Sequence, residues 1–363
     1  MQLQHIKPLD GVRAIAILLV LVWHYFTCQI SEDMLTGPAV YLKFALSWTW
    51  SGVDLFFVLS GFLIGSILLR NKGSHNYFTT FYARRMLRIF PPYYLVLLVF
   101  VFVLASDLSA FLPWLTDDPK PLYAYFLYIQ NFWMLNDMGA NWMGVTWSLA
   151  IEEQFYLLLP LLVFLIPGRS LPGLLLAGIV LAPFCRALIP ELGAYVLLPS
   201  RMDSLLMGVL IACYYLNGEL QRFFDGKRAV LWLLLFILPL AVYALRLLRG
   251  EDIGGVFIHS LLCLFYGAFI VLALISPAGS FVTQFLSAAA FAFLARISYM
   301  VYLTHQVFSG LFHQLIRGQE PQIQTAADAW ITLLALCSTI LFSAASYYIF
   351  ERPVLRLGKN FTY

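Results

Sequence analysis

Charge is what this chain has least of. Asp, Glu, Lys and Arg make up 11% of its 363 residues, against about 25% in an ordinary soluble domain. Apolar residues fill 61% and the mean hydropathy is +0.83. A soluble globule of this size cannot hide so much apolar surface, so the composition excludes one, and with it a disordered chain and a fibrous repeat. Cysteine is also scarce: five, at positions 28, 185, 213, 263 and 337, with no CxxC pair. That excludes a secreted disulfide scaffold and leaves the cysteines as small apolar packers. Walker A, HExxH, G-x-S-x-G and the Rossmann glycine fingerprint are all missing, so ATP, zinc and hydride chemistry have no motif behind them and no metal is expected. The net charge of +3 is too small to point to nucleic acid.

Long apolar runs are abundant. Crossing the hydrocarbon takes roughly 20 mostly apolar residues. Ten stretches qualify, near 11–28, 50–69, 91–106, 147–167, 171–190, 199–216, 229–246, 256–275, 297–316 and 328–348. A shorter run at 121–135 is expected to dip into the bilayer or lie on it, and 282–295 to be interfacial. The pattern predicts an all-α, polytopic membrane bundle of about ten helices, forming one domain over 1–363 with no fused soluble extracellular domain. Residues 1–30 lack the small-residue cleavage site of a signal peptide. Placing both termini in the cytoplasm puts 14 cations on inner segments and five on outer ones, the asymmetry that the positive-inside rule demands. The outer segments collect acids instead: Glu32, Asp33, Asp107, Asp117, Asp118, Glu251 and Asp252.

Ionisable groups inside apolar stretches are costly, which makes each a functional candidate. Arg13 and His24 are 11 residues apart, about 20° beyond three full turns, so they share a face of the first span about 16 Å apart along the axis. Asp10 is three residues before Arg13 and can pair with it. His24 is either a proton carrier or a hydrogen-bond partner of a neighbouring helix. Asp54 lies early in the second span as a catalytic partner or a structural acceptor, above a Gly61–Gly65 pair that permits close helix approach. Arg84, Arg85 and Arg88 fall within five residues just before a span. Their forks suit phosphate, or simply hold the loop inside, and Pro91 and Pro92 are expected to end the helix that carries them. The adjacent Glu152 and Glu153 point to different faces, one able to meet a cation and the other a cavity. Arg201 and Asp203 are close enough to neutralise each other, or to pair with either glutamate. Tyr302 and His305 are i, i+3 neighbours, and Glu351–Arg352–Pro353 looks like a cytoplasmic stop.

Taken together these blocks resemble acyltransferase family 3, the integral membrane acyltransferases that O-acylate surface glycans and some small molecules. The family's Arg-x10-His is met by Arg13 and His24. Its later blocks appear at Gly52–Phe62, Phe81–Ile89, Thr146–Tyr156 (which holds Trp147), Arg201–Gly208, Arg296–His305 (with Tyr299) and Glu351–Pro353. The resemblance runs from about Leu9 to Leu357. One departure stands out: many members flank the late histidine with tryptophan, whereas this chain has Thr304 and Gln306.

The resemblance implies an acyl-CoA donor, most often acetyl-CoA, and a glycan or lipid-linked sugar acceptor, in a bacterial inner membrane. It implies His24 as the base, with Arg13 orienting the donor, Glu152 or Glu153 polarising His24, and Arg84, Arg85 and Arg88 on the CoA phosphates. Asp10, Asp54, Trp147, Arg201, Asp203, Tyr299 and His305 would support the site, and Arg13, Arg201, Tyr299 or backbone amides would supply the oxyanion contact. A partner protein could take the place of the extracellular domain that some members carry. The competing readings are the same chemistry on a small molecule such as an antibiotic, and a secondary transporter, which has no use for CoA.

Overall fold

The computed structural model describes residues 5–31, 41, 43 and 45–363, and backbone alone at 246–254. The expected outer charges Glu32 and Asp33, and the side chains of Glu251 and Asp252, lie outside the described residues. The long helices are α1 (Pro8–Val22), α2 (Gly52–Asn71), α3 (Tyr77–Leu104), α4 (Trp147–Leu165), α5 (Leu171–Leu188), α6 (Leu198–Leu216), α7 (Arg228–Ile275), α8 (Ala289–Arg317) and α9 (Ala326–Ser346). Among the described residues nine helical stretches are long and apolar enough to cross a membrane; two of them, Arg228–Leu245 and Gly255–Ile275, belong to α7. Leu98, Phe102, Leu157, Leu161, Phe236 and Leu341 stand exposed on their outsides, where only lipid suits them. The chain is a polytopic helical membrane protein.

The expected span near 297–316 corresponds to α8, which is 29 residues or about 43 Å long but is more polar than the rest. Its polar residues are the buried ones: Ser298, Thr304, His305, Gln306, Ser309 and His313 all face the bundle interior. Ile297, Met300, Val301 and Leu303 are buried beside them, so α8 packs into the core and also presents a polar stripe within it.

One expectation about an element end is corrected. Pro91 and Pro92 do not end the arginine-bearing helix, because α3 runs through both from Tyr77 to Leu104. A spanning helix tolerates proline where neighbours serve its distorted backbone, and here the Tyr299 hydroxyl donates to the Ile89 carbonyl at 3.0 Å. The run at 282–295 divides into a short helix, Phe281–Leu286, and the start of α8. The 121–135 run folds as two short turns, Leu122–Phe126 and Gln130–Trp133, clasped to α3 by Tyr93 and Tyr94, whose hydroxyls donate to the carbonyls of Tyr125 and Phe126 at 2.9 and 2.8 Å.

The bundle is tightest where α2 crosses α6. A Cβ on Gly61 would sit 1.9 Å from the Leu205 carbonyl oxygen, and one on Gly208 2.1 Å from that of Val58. Glycine at both positions lets the backbones touch. This contact fixes the height of Asp54 on α2 against Arg201 on α6.

Candidate active site

Arg13 and His24 sit on successive stretches of one segment, but they open into different cavities. After Val22 the helix widens: Trp23–Thr27 is a π-helical turn, with the Cys28 amide bonded back to the Trp23 carbonyl at 2.9 Å. Such turns recur at functional sites because they re-aim a side chain. His24 therefore faces a cavity of about 990 Å³ at one end of the bundle, and Arg13 a narrow one of about 110 Å³ nearer the other end.

The His24 ring is fixed by two neighbours. Its Nδ1 lies 3.0 Å from the Val20 carbonyl. A carbonyl only accepts, so Nδ1 carries the proton and Nε2 keeps its lone pair. The second neighbour is His305, whose ring centroid is 4.8 Å away. Nδ1 of His305 donates to the Tyr302 carbonyl at 2.8 Å, and its Nε2 is buried with no hydrogen-bond partner. The backbone beneath His24 is clamped in turn. Gln29 Nε2 donates to the His24 carbonyl (2.7 Å) and to Ser309 (2.8 Å), and the Thr332 hydroxyl donates to Gln29 Oε1 (3.1 Å). The Tyr25 hydroxyl donates to the His305 carbonyl at 2.8 Å and meets Thr339 at 2.7 Å. Tyr25, Gln29, Ser309, Thr332 and Thr339 escaped the sequence reading, although His305, Ser309 and His313 repeat every four residues and so mark one polar face of α8.

The walls of the histidine cavity are aromatic, with Trp23, Trp50, Trp114, Trp147 and Tyr195, and Glu191 and Glu320 also line it. Behind them lies a buried charge network. Arg201 bridges Asp54 at 2.8 Å, donates to His259 Nε2 at 2.7 Å, and has its guanidinium 5.1 Å from the Tyr195 ring centroid and 5.8 Å from that of Trp147. Asp203 pairs with Arg186 at 2.8 Å and accepts from Ser260 at 3.1 Å. The expected Arg201–Asp203 pairing is thus replaced by two cross-helix pairs, and neither residue reaches for a glutamate. Asp54 is a structural acceptor that helps hold the aromatic wall upright.

The arginine cavity gathers Arg13, Arg85, Arg88, Ser60, Glu152, Tyr156 and Tyr299. Glu152 therefore belongs with the arginines and not with His24, whose ring neighbour is His305. Glu153 turns the other way, among the phenols of Tyr94, Tyr128 and Tyr299, and its Oε1 is buried without a partner. The ion pair that Asp10 makes is with His5, at 2.9 Å, in place of the expected one with Arg13. Arg84 does not line this cavity; its Nε donates to the Phe361 carbonyl at 2.8 Å.

Of the expected oxyanion donors, Tyr299 is committed to Ile89 and Arg201 to Asp54 and His259. Arg13 makes no hydrogen bond among the described residues and projects into the cavity with its donors free. The two cavities share Val53 and Tyr302. The Tyr302 hydroxyl donates to the Val145 carbonyl at 2.8 Å and touches Ser148, so Tyr302 stands with Val53 between the two cavities.

Comparisons with known proteins fall in line with this site. The acyltransferase family 3 model, described as an acyltransferase domain, matches residues 6–348. The O-acetyltransferase OatA of Staphylococcus aureus is 25% identical over 389 residues in both strain NCTC 8325 and strain COL, an alignment that covers 98% of this chain and 58% of each relative. The chain thus spans somewhat more than half the length of the curated relatives it matches. No solved structure matches it. The chain belongs to acyltransferase family 3.

Proposed function

We propose that this family member is a membrane O-acyltransferase. It takes an acetyl group from acetyl-CoA at the arginine cavity and passes it to a hydroxyl of a surface glycan or lipid-linked sugar in the histidine cavity. The observation that carries this reading is the pair of cavities with opposite chemistry, one cationic and one aromatic with an imidazole, which meet at Tyr302 and Val53. A donor bearing phosphates suits the first. A sugar, which offers hydroxyls and flat apolar faces, suits the second. The positive-inside rule puts the arginine end in the cytoplasm, where acetyl-CoA is made, and we assign the protein to the bacterial inner membrane on that basis.

In this mechanism the acceptor hydroxyl lies against Nε2 of His24. The imidazole takes its proton as the oxygen attacks the thioester carbonyl. The C–S bond breaks, and the departing CoA thiolate receives the proton from the imidazolium. His305 lies tilted against His24, at 59° between the rings, and holds its ring plane. Arg13, with its guanidinium uncommitted, meets and orients the donor in the arginine cavity. Glu152, in the same cavity, offsets the mutual repulsion of Arg13, Arg85 and Arg88. Tyr302 separates donor from acceptor until both are bound, which limits hydrolysis of the thioester.

Titration of CoA into detergent-purified protein tests the donor half. Saturable binding that weakens by about tenfold or more in Arg85→Gln and Arg88→Gln is expected, since a charge-assisted hydrogen bond contributes roughly 1.5–3 kcal/mol. A folded wild type that binds no CoA contradicts the reading.

A further inference from the structure

The three arginines of α3 do not serve one cavity. Arg85 and Arg88 line the arginine cavity and also a second recess, of about 340 Å³, at the same end of the molecule. Arg84, Lys359 and Tyr363 line only the recess. Its wall is the strap of residues 358–363, which folds back over α3. The Thr80 hydroxyl donates to the Thr362 carbonyl at 2.9 Å, and Arg84 Nε to the Phe361 carbonyl at 2.8 Å. The Arg84 guanidinium lies 5.5 Å from the Tyr363 ring centroid. With Nε occupied, the terminal N–H groups of Arg84 stay available.

The side chains lining the recess include four cations and no carboxylate, beside the rings of Phe81 and Tyr363. That combination suits a flat group carrying more than one phosphate. A headgroup in the plane of a bilayer would satisfy the charges alone. The recess, however, shares Arg85 and Arg88 with the arginine cavity, so an occupant with a slender arm suits both better than a headgroup does. A CoA thioester has that layout: a base and phosphates at one end, a pyrophosphate in the middle and an uncharged arm ending in the thioester.

We infer that the strap of residues 358–363 walls a nucleotide pocket, with Lys359 and Arg84 on the terminal phosphate of the donor and the Tyr363 ring against its base. The inference rests on the acyl-CoA reading above and gives it an address outside the family's sequence blocks.

The test is titration of CoA, pantetheine and adenosine 3′,5′-bisphosphate into the full-length protein in detergent, for wild type, Lys359→Gln, Lys359→Arg and Tyr363→Ala. The wild type should bind CoA well, the bisphosphate measurably and pantetheine least. Lys359→Gln and Tyr363→Ala should each weaken CoA and the bisphosphate by about tenfold, the scale of one charge-assisted bond, so that the advantage of CoA over pantetheine shrinks. Lys359→Arg should restore most of it. CoA binding by wild type that is unchanged in both variants overturns the pocket and leaves the donor reading standing. Equal loss for CoA and pantetheine also overturns it and makes the strap a structural element. A wild type that binds neither CoA nor the bisphosphate overturns both readings.

Discussion

His24 has an imidazole beside it, not a carboxylate. The family pattern suggested a glutamate as its orienting partner, but Glu152 is on the far side of Tyr302. The Val20 carbonyl and the His305 ring do the orienting. Replacing His24 with Gln should lower the transfer rate by about 10²–10⁴, the usual contribution of a general base, and leave CoA affinity within about twofold. His305→Ala should lower kcat without changing the affinity for CoA, because it touches His24 and not the donor; an unchanged kcat would show that His305 only fills space. The Asp54–Arg201 pair lies at the same scale but affects stability. Arg201→Ala strands a buried carboxylate, and removing one partner of such a pair costs roughly 3–5 kcal/mol. Its melting temperature in detergent should fall well below that of an Asp54→Leu/Arg201→Met double variant, which leaves no charge unpaired.

At the scale of elements, close contact and a polar stripe decide where the site sits. The α2–α6 crossing depends on two glycines whose missing Cβ atoms would collide with backbone. Gly208→Ala should reduce the yield of folded protein and lower its melting temperature, with overpacking of this kind typically costing about 1–3 kcal/mol. Gly173→Ala on α5, where a Cβ meets nothing within 4 Å, should be neutral or slightly stabilising. The loop before α4 is held differently. Lys120 bridges Asp118 at 2.8 Å and also bonds Asp137. The hydrogen bond from Lys120 outweighs burial and holds the Asp137 carboxyl below its ordinary range. A depressed carboxylate adds stability above its unfolded pKa, about 4, and loses that contribution as pH falls through the lower folded value. Asp137→Asn should therefore melt earlier than wild type at pH 7, and the gap should close on acidification toward pH 3. A constant gap would mean that Lys120 does not hold Asp137 in this way.

Across the whole molecule, the sequence is most informative where the bilayer imposes a simple rule. Apolar length alone located nearly every span, because hydrocarbon admits little else. The family blocks named the residues that gather round the two cavities. Pairings between helices were hidden, since spacing speaks only within one helix. Arg201 finds Asp54 across 147 residues, and Tyr25 finds the His305 carbonyl across 280. The π-helical turn was hidden as well, for no residue in Trp23–Thr27 demands it. Pro91 and Pro92 misled because an exposed helix would have stopped there, while this one is braced by its neighbours. What only the assembled bundle reveals is that the two cavities meet at Tyr302 and Val53. Tyr302→Ala should join the two cavities and raise the rate of acetyl-CoA hydrolysis in the absence of acceptor, measured as free thiol; no increase would mean that Tyr302 is not the barrier.

The central claim is that acetyl crosses from the arginine side to an acceptor activated by His24. Base-labile O-acetyl on the surface glycans of cells expressing wild type or His24→Ala, at matched membrane abundance, tests it most directly. The account predicts acetate with the wild type and none with the variant, while purified His24→Ala still binds CoA. Acetate that persists at the wild-type level in the variant would contradict it.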